Sequence, residues 1–278
     1  MSVLRRALPP CLTLLLLVLS SYFSVPSSGF QPTEGPLVAV GGGDTNDAIV
    51  ARTLELAGGR RASVAVLAQS SALPDAGDSS VEMWKAAGAR DAVNVRFGDR
   101  AAARHALETA TLIWMPGGDQ NRFMSAIAGT GLDDLIRSRH AAGVVVGGTS
   151  AGAAVLSAVM LTGDADLKSV SAGTTMTAPG LGLWREVIVD QHFLTRQRGN
   201  RLISAVLDHP ALVGVGIDEG TAVIVRGTAI EAIGKSAVIV IDPRHAAIVK
   251  PETGPVAAGT GLAFHVLRSG MTLDLARP

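Results

Sequence analysis

A lone serine between glycines is the residue of this chain best suited to act as a nucleophile. Ser150 stands in Gly148-x-Ser150-x-Gly152, the spacing of a nucleophile elbow, in which flanking glycines permit a sharp turn. Residues 143–146 are short, apolar and β-branched, as in a buried parallel strand, and residues 151–160 favour a helix. The pattern predicts that the serine hydroxyl projects from the sheet toward the amides that open the helix. An ordinary strand-to-helix turn is the alternative interpretation.

A serine hydroxyl needs a base to take its proton, and the base needs a third group to hold its tautomer. His192 is the strongest candidate base, because it follows the apolar strand predicted at 187–189 and two further polar residues. Asp218 and Glu219 interrupt the apolar run that begins at 213, and ionised acids are seldom buried without a partner. The predicted chain order is Ser, His, Glu. A structural histidine and a hairpin turn with solvated acids are the alternatives.

A second glycine-rich turn, residues 116–120, ends the strand predicted at 111–115. The carboxyl ends of strands in an open parallel sheet meet at one mouth, so this turn and Ser150 are predicted to be neighbours. Gly118 would donate one backbone amide to an oxyanion, and Ala151, which opens the helix, would donate another. A plain strand-ending turn is the alternative for 116–120.

Three arginines follow the candidate base closely. Arg196, Arg198 and Arg201 straddle a turn and the first turns of a predicted helix. Guanidinium forks suit carboxylates, which favours binding of an acidic group near the site. A solvated basic helix face is the alternative.

Strands and helices alternate through the first half of the chain. Strands are predicted at 37–40, 63–68, 92–96, 111–115 and 143–146, with helices near 47–57, 81–87 and 101–107. After a helix near 197–207 the chain becomes strand-rich, with strands predicted at 213–217, 221–225, 237–241 and 264–267. We expect one α/β domain over residues 30–278, a mostly parallel, flavodoxin-like three-layer sheet with helices on both faces and extra C-terminal strands. Residues 41–43 are predicted to form a tight turn, because G-x-G-x-x-G is absent there.

Residues 1–29 have the features of a secretory signal peptide. Arg5 and Arg6 precede the apolar run 12–19, and small residues follow at 27–29. An uncleaved anchor is the alternative, but this run is short for a bilayer core of roughly 30 Å. We expect a secreted or periplasmic protein with no stable membrane association after cleavage.

The composition argues against several classes of partner and cofactor. The 278 residues include 24 basic and 24 acidic side chains, and loss of the leader would leave a charge of about −2, which does not favour nucleic acid. The one cysteine, Cys11, lies in the leader, and the six histidines are scattered without a metal-binding pattern. We expect no metal and no cofactor.

Four motifs together resemble those of cyanophycinases and their relatives in peptidase family S51, whose fold resembles class I glutamine amidotransferases. They are GGTSAGAAV at 147–155, PGGDQ at 116–120, DQHF at 190–193 with the three following arginines, and GIDEGTAV at 216–223. The resemblance implies Ser150 as the nucleophile, His192 as the general base and Glu219 as the acid that orients it. It also implies a pocket lined by Gln120, Asp190, Gln191, Arg196, Arg198 and Arg201.

The family's substrate is a polymer with an aspartate backbone and an arginine linked to each β-carboxyl. The resemblance therefore implies a peptide or polymer partner rich in aspartate and arginine, and release of β-aspartyl-arginine dipeptides. Acids such as Asp190 would recognise the guanidinium groups, and the arginines would recognise the carboxylates. Gln197, Gly199 and Asn200 depart from the family's pattern between the arginines.

Three other functions remain open. One is an aspartyl dipeptidase resembling peptidase E. Another is an α/β-hydrolase esterase, in which Asp242 and His265 would supply the order Ser, Asp, His. The third is an inactive carbohydrate- or peptide-binding protein on the same scaffold. A homodimer is one assembly that the chain allows.

Overall fold

The computed structural model describes residues 34–73, 75–163, 168–249 and 256–277, which belong to one compact unit. The predicted signal peptide lies outside these residues. Within the described ranges, no helix is long and apolar enough to cross a membrane.

The chain forms short helices and strands that alternate in its first half. The helices are α1 (Asp47–Leu56), α2 (Asp78–Ala86), α3 (Arg100–Thr109), α4 (Gln120–Ile127), α5 (Leu132–Ala141), α6 (Ala151–Ala154) and α7 (Gly199–Asp208), with a 3-10 turn at Gly59–Arg61. The strands are β1 (Leu37–Val40), β2 (Ser63–Val66), β3 (Asp91–Asn94), β4 (Leu112–Met115), β5 (Val145–Thr149), β6 (Val159–Leu161), β7 (Thr177–Pro179), β8 (Val187–Gln191), β9 (Val213–Ile217), β10 (Thr221–Arg226), β11 (Ala229–Gly234), β12 (Ala237–Asp242), β13 (Ala247–Val249), β14 (Ala258–Thr260), β15 (Ala263–Arg268) and β16 (Thr272–Asp274).

The central sheet has eight strands in the order β16-β11-β10-β1-β5-β4-β2-β3. The five strands from β1 to β3 in that order are parallel, and β10, β11 and β16 extend the sheet in antiparallel fashion. The run β3-β2-β4-β5 has the strand order of a flavodoxin-like sheet, and β1 occupies the next position. A second sheet has the order β15-β12-β9-β8, with β8 and β9 parallel.

Alternate residues of the central strands enter different hydrophobic cores, because successive side chains of a strand point to opposite faces. Leu37 and Ala39 pack in the core that contains residues of α3, α4 and α5, whereas Val38 and Val40 pack with residues of α1 and α2. Helices therefore cover both faces of the sheet. The predicted fold class is confirmed, including the parallel sheet and the extra C-terminal strands.

The helix after the glycine-flanked serine is shorter than predicted. It ends at Ala154, where residues up to 160 were expected to continue it. The carbonyl of Leu156 instead accepts hydrogen bonds from the amides of Leu183 (2.9 Å) and Trp184 (2.8 Å), so the chain pairs with a neighbouring segment and then enters β6. Helix propensity is overridden by this tertiary pairing.

Candidate active site

Ser150, His192 and Glu219 form a hydrogen-bonded triad. Ser150 Oγ lies 2.8 Å from His192 Nε2, and His192 Nδ1 lies 2.5 Å from Glu219 Oε1. With its proton on Nδ1, the imidazole donates to the carboxylate and accepts from the hydroxyl. The three residues follow β5, β8 and β9, so both sheets contribute to the site. This arrangement can remove the hydroxyl proton as the oxygen attacks a carbonyl.

Tight packing behind Ser150 produces the elbow. Its backbone angles are φ 54 and ψ −113, which are unfavourable for a residue with a Cβ. A Cβ on Gly152 would lie 1.8 Å from the carbonyl oxygen of Met115, and one on Gly148 would lie 2.5 Å from the same oxygen. Both glycines therefore allow α6 to pack directly on the end of β4. That packing holds the serine in its strained conformation.

The turn at residues 41–43 holds the other two members of the triad. The His192 amide donates to the carbonyl of Gly41 at 2.6 Å. A Cβ on Gly42 would lie 2.3 Å from His192 Cε1, and one on Gly43 would lie 3.0 Å from Glu219 Oε2. The sequence analysis predicted only a tight turn here and did not predict its contacts with His192 and Glu219. Three consecutive glycines at a strand end were the available signal.

The turn that carries Gly118 runs beside Ser150. A Cβ on Gly117 would lie 3.4 Å from Ser150 Cβ. Ser70 fixes this turn, since its Oγ donates to the carbonyl of Gly117 at 2.7 Å. Ala151 opens α6, so its amide has no partner within the helix. Both predicted oxyanion donors lie in segments next to Ser150, and their catalytic role stays a prediction. Nothing in the sequence pointed to Ser70.

Most of the side chains expected to contact substrate bind one another. Arg201 Nε donates to Asp190 Oδ2 at 2.9 Å, its Nη2 donates to Asp190 Oδ1, and its Nη1 donates to the carbonyl of Gly163 at 2.8 Å. Arg198 Nη1 donates to the carbonyl and to Oε1 of Gln191, at 2.7 and 2.8 Å. Asp190 is 0 % exposed, Arg201 4 % and Arg198 6 %, so a solvated basic face is wrong for these two arginines. Direct substrate contact by this buried group would require its ion pair to open.

Gln120 and Arg196 differ in what they offer to a substrate. Gln120 Nε2 donates to the carbonyl of Leu161 at 2.9 Å, so it anchors the end of β6. Arg196 is exposed, and its amide donates to the carbonyl of His192 at 2.9 Å. Of the three arginines, Arg196 is therefore the one whose side chain is presented to solvent beside the base.

Burial favours the neutral form of His192. Burial lowers the pKa of His192, and the positive charges of Arg196 and Arg198 lower it further. The hydrogen bond that His192 Nδ1 donates to Glu219 opposes this shift. The imidazole is therefore neutral at neutral pH, which is the form that accepts a proton.

The two residues of the esterase alternative, Asp242 and His265, have other partners than Ser150. Asp242 accepts a hydrogen bond from Arg244 Nε at 2.9 Å. His265 lies on β15 opposite Val240. Ser150 instead has its hydrogen bond with His192. The geometry thus favours the order Ser, His, Glu.

Comparison with known proteins adds independent evidence. The family model of peptidase family S51 matches residues 86–233. A cyanophycinase from Geminocystis herdmanii (strain PCC 6308) is 40% identical over 228 residues, which cover 79% of this chain and 83% of that protein. A cyanophycinase from Synechococcus elongatus is 35% identical over 223 residues, covering 76% of this chain and 69% of that protein.

The fold also matches a solved structure. The crystal structure of a peptidase from an acI-B1 Actinobacterium superposes with a TM-score of 0.61 at 20% identity, covering 88% of this chain and 98% of that one. The strand order, the family model and the identity to the cyanophycinases agree with one another. This chain belongs to peptidase family S51 and is a serine-type peptidase.

Proposed function

We propose that this chain is a secreted cyanophycinase, which hydrolyses a polymer with an aspartate backbone and arginine side groups to β-aspartyl-arginine dipeptides. The observation that carries the proposal is the hydrogen-bonded chain from Ser150 through His192 to Glu219, in a protein whose curated relatives are named cyanophycinases. A complete relay disfavours an inactive binding protein, because a binding site alone has no need of an oriented base.

The first half of the reaction forms an acyl-enzyme. Ser150 Oγ attacks the backbone peptide carbonyl of the polymer while His192 Nε2 takes the hydroxyl proton. The negative oxygen of the tetrahedral intermediate accepts hydrogen bonds from the amides of Gly118 and Ala151. The intermediate collapses, the C–N bond breaks, and His192 gives its proton to the leaving amine. Glu219 stabilises the imidazolium while it exists.

The second half releases the product. Water attacks the ester carbonyl, and His192 takes the proton from this water. The C–O bond to Ser150 then breaks, and His192 returns the proton to the serine oxygen. The carboxylic acid product leaves with the serine restored.

Substrate recognition is assigned to the exposed cation beside the base. Arg196 is solvent-accessible and lies close enough to lower the pKa of His192, so it can contact a carboxylate of a bound polymer. Arg198 and Arg201 are buried and donate hydrogen bonds to Gln191 and Asp190, so they brace the segment that precedes His192. Asp190, which the sequence offered as the partner of the substrate guanidinium groups, is 0 % exposed and bound by Arg201, so it is not presented to substrate in this structure.

The test is a digestion of purified cyanophycin followed by mass spectrometry of the soluble products. The proposal predicts β-aspartyl-arginine as the main product of the wild-type protein and none from Ser150→Ala. An α-aspartyl dipeptide and a simple ester, offered as separate substrates, measure the two enzymatic alternatives. Cleavage of the dipeptide with an intact polymer would favour an aspartyl dipeptidase. Ester hydrolysis that survives His192→Ala would favour an esterase.

We also propose export, because Arg5 and Arg6 precede an apolar run and small residues. N-terminal sequencing of protein recovered outside the cytoplasm tests this. A mature N-terminus near residue 30 supports export with cleavage, a start at Met1 supports the uncleaved anchor, and protein found only in the cytoplasm contradicts export.

A further inference from the structure

Asp218 is a buried carboxylate beside the triad that the mechanism does not use. It is 7 % exposed. Its Oδ1 accepts hydrogen bonds from Thr195 N at 2.8 Å and Thr195 Oγ1 at 2.9 Å, and its Oδ2 accepts one from Ser236 Oγ at 2.7 Å. Although burial opposes them, these hydrogen bonds lower the pKa of Asp218. The carboxylate is therefore ionised and fully engaged by neutral donors.

The donor Thr195 belongs to the turn that carries the base. This turn begins at His192, with φ 49, and contains Gln197, with φ 53. A left-handed residue other than glycine is strained and persists only when its surroundings hold it. The hydrogen bonds Arg196 N to His192 O and Arg198 N to Phe193 O close the turn on itself. The Asp218 carboxylate ties its tip to another segment.

That other segment carries the third member of the triad. Asp218 directly precedes Glu219, whose Oε1 accepts from His192 Nδ1. The side chain of Glu219 is 35% exposed, so packing alone leaves it room to move. Ser236, on the approach to β12, fixes the Asp218 carboxylate from the opposite side. One carboxylate thus links the backbone of the base to the backbone of its orienting acid.

We propose that Asp218 is a positioning residue. It holds the turn that carries His192 against the segment that carries Glu219, and so keeps His192 Nε2 within hydrogen-bond distance of Ser150 Oγ. The assignment rests on the proposed serine peptidase mechanism. Asp218 does not contact the reacting atoms. It acts through Thr195 on the backbone that carries the imidazole.

The test compares four variants by their rate of inactivation with a fluorophosphonate, which reacts at an activated serine and needs no polymer. Asp218→Ala removes the hydrogen bonds to Thr195 and Ser236. Misplacement of a catalytic group by about 1 Å can lower the reaction rate on the order of 10²-fold. Asp218→Asn keeps Oδ1 for both Thr195 donors and offers its amide to the Ser236 hydroxyl. We expect a large loss in the first variant and rescue to within about threefold in the second.

Two further variants separate the bonds. Thr195 is exposed, so Thr195→Val should not disturb the core. The variant keeps the amide donor and removes the hydroxyl, so we expect the inactivation rate to fall about threefold to tenfold, as for the loss of one hydrogen bond. Ser236→Ala leaves both Thr195 bonds in place and removes one support of the carboxylate, so we expect a smaller loss than in Thr195→Val. With cyanophycin as substrate, the losses should appear in kcat and leave KM nearly unchanged.

Specific results overturn the proposal. A folded Asp218→Ala protein that reacts at the wild-type rate would do so, and so would an equal loss in Asp218→Asn, which would assign the effect to charge. If Asp218→Ala fails to fold, a Thr195→Val protein with an unchanged rate overturns it. If cyanophycin is not the substrate, the wild-type protein will release no dipeptide from it. The comparison of inactivation rates among the variants will still hold in that case.

Discussion

Gly42 lies against the imidazole of His192 so closely that no side chain fits between them. A Cβ on Gly42 would lie 2.3 Å from Cε1 and 2.4 Å from Nε2 of the ring. The backbone at Gly42 has φ 106, which also favours glycine. The turn after β1 therefore forms one wall of the space in which the imidazole of His192 sits.

Gly42→Ala should lower kcat on cyanophycin on the order of 10²-fold or more, because the added methyl displaces the imidazole from Ser150. Gly58→Ala is the matched control, since Gly58 has φ 103 and nothing within 4 Å of an added Cβ. Both variants carry the backbone cost of alanine at positive φ. Steady-state kinetics on the two proteins isolates the steric effect. Equal activity in the two variants would show that contact with His192 does not matter.

Ser150→Gly should be more stable than Ser150→Ala by about 1 kcal/mol, although both variants lose activity. Glycine accepts φ 54 and ψ −113 without the clash that alanine retains. Denaturant unfolding of the two proteins measures the difference. Equal stability, or a more stable alanine variant, would mean that the elbow stores no strain.

The acid limb of the pH profile should lie below the ordinary value of about 6.5 for histidine, because burial lowers the pKa of His192. The neutral form is the active one, so activity persists until the pH falls through this lowered pKa. Arg196→Gln removes a nearby positive charge, which should raise the pKa and move the acid limb to higher pH. The pH dependence of fluorophosphonate inactivation measures both proteins without involving substrate binding.

The control for that shift is Arg60→Gln, which removes an equal charge from an exposed residue at the amino end of β2, away from the strand ends that carry the site. Its acid limb should coincide with that of the wild-type protein. An Arg196→Gln limb at the wild-type pH, or at lower pH, would contradict the assigned influence of this arginine.

Arg201→Ala should lower the free energy of unfolding by about 3–5 kcal/mol, because it removes the two hydrogen bonds to the buried Asp190 carboxylate and leaves only Arg198, 3.8 Å away, as its ion-pair partner. Arg104→Ala breaks an exposed pair with Glu108 at 3.7 Å and should cost less than about 1 kcal/mol. Denaturant unfolding of both variants gives the comparison. A loss of unfolding free energy as small as that of Arg104→Ala would mean that the Arg201–Asp190 pair opens easily, so that Arg201 is available to contact substrate.

The local sequence pattern predicts many of the strands and turns of this fold. Short β-branched runs such as 143–146 and 213–217 predict buried strands, because only a parallel or flanked sheet buries both faces of a strand. The glycines around Ser150 predict the sharp turn. The extent of the following helix was wrong, since pairing of Leu156 with Leu183 and Trp184 is a tertiary event that local propensity does not report.

The site was harder to predict where partners come from distant segments. His192 and Ser150 stand 42 residues apart, and their strands lie in different sheets, so chain order alone does not show that they meet. The pairing of Arg201 with Asp190 likewise depends on how α7 packs on the end of β8. The glycines at 41–43 were visible, but their contact with the imidazole requires knowledge of the fold.

The most direct test of Ser150 as the nucleophile measures labelling of this serine and loss of peptidase activity in the same samples. The wild-type protein should gain the mass of one phosphonyl group from a fluorophosphonate, peptide mapping should place it on Ser150, and β-aspartyl-arginine release from cyanophycin should fall in step with the labelled fraction. Ser150→Ala should take no label and release no dipeptide. Dipeptide release that continues in fully labelled protein, or that persists in Ser150→Ala, would contradict the assignment of Ser150 as the nucleophile.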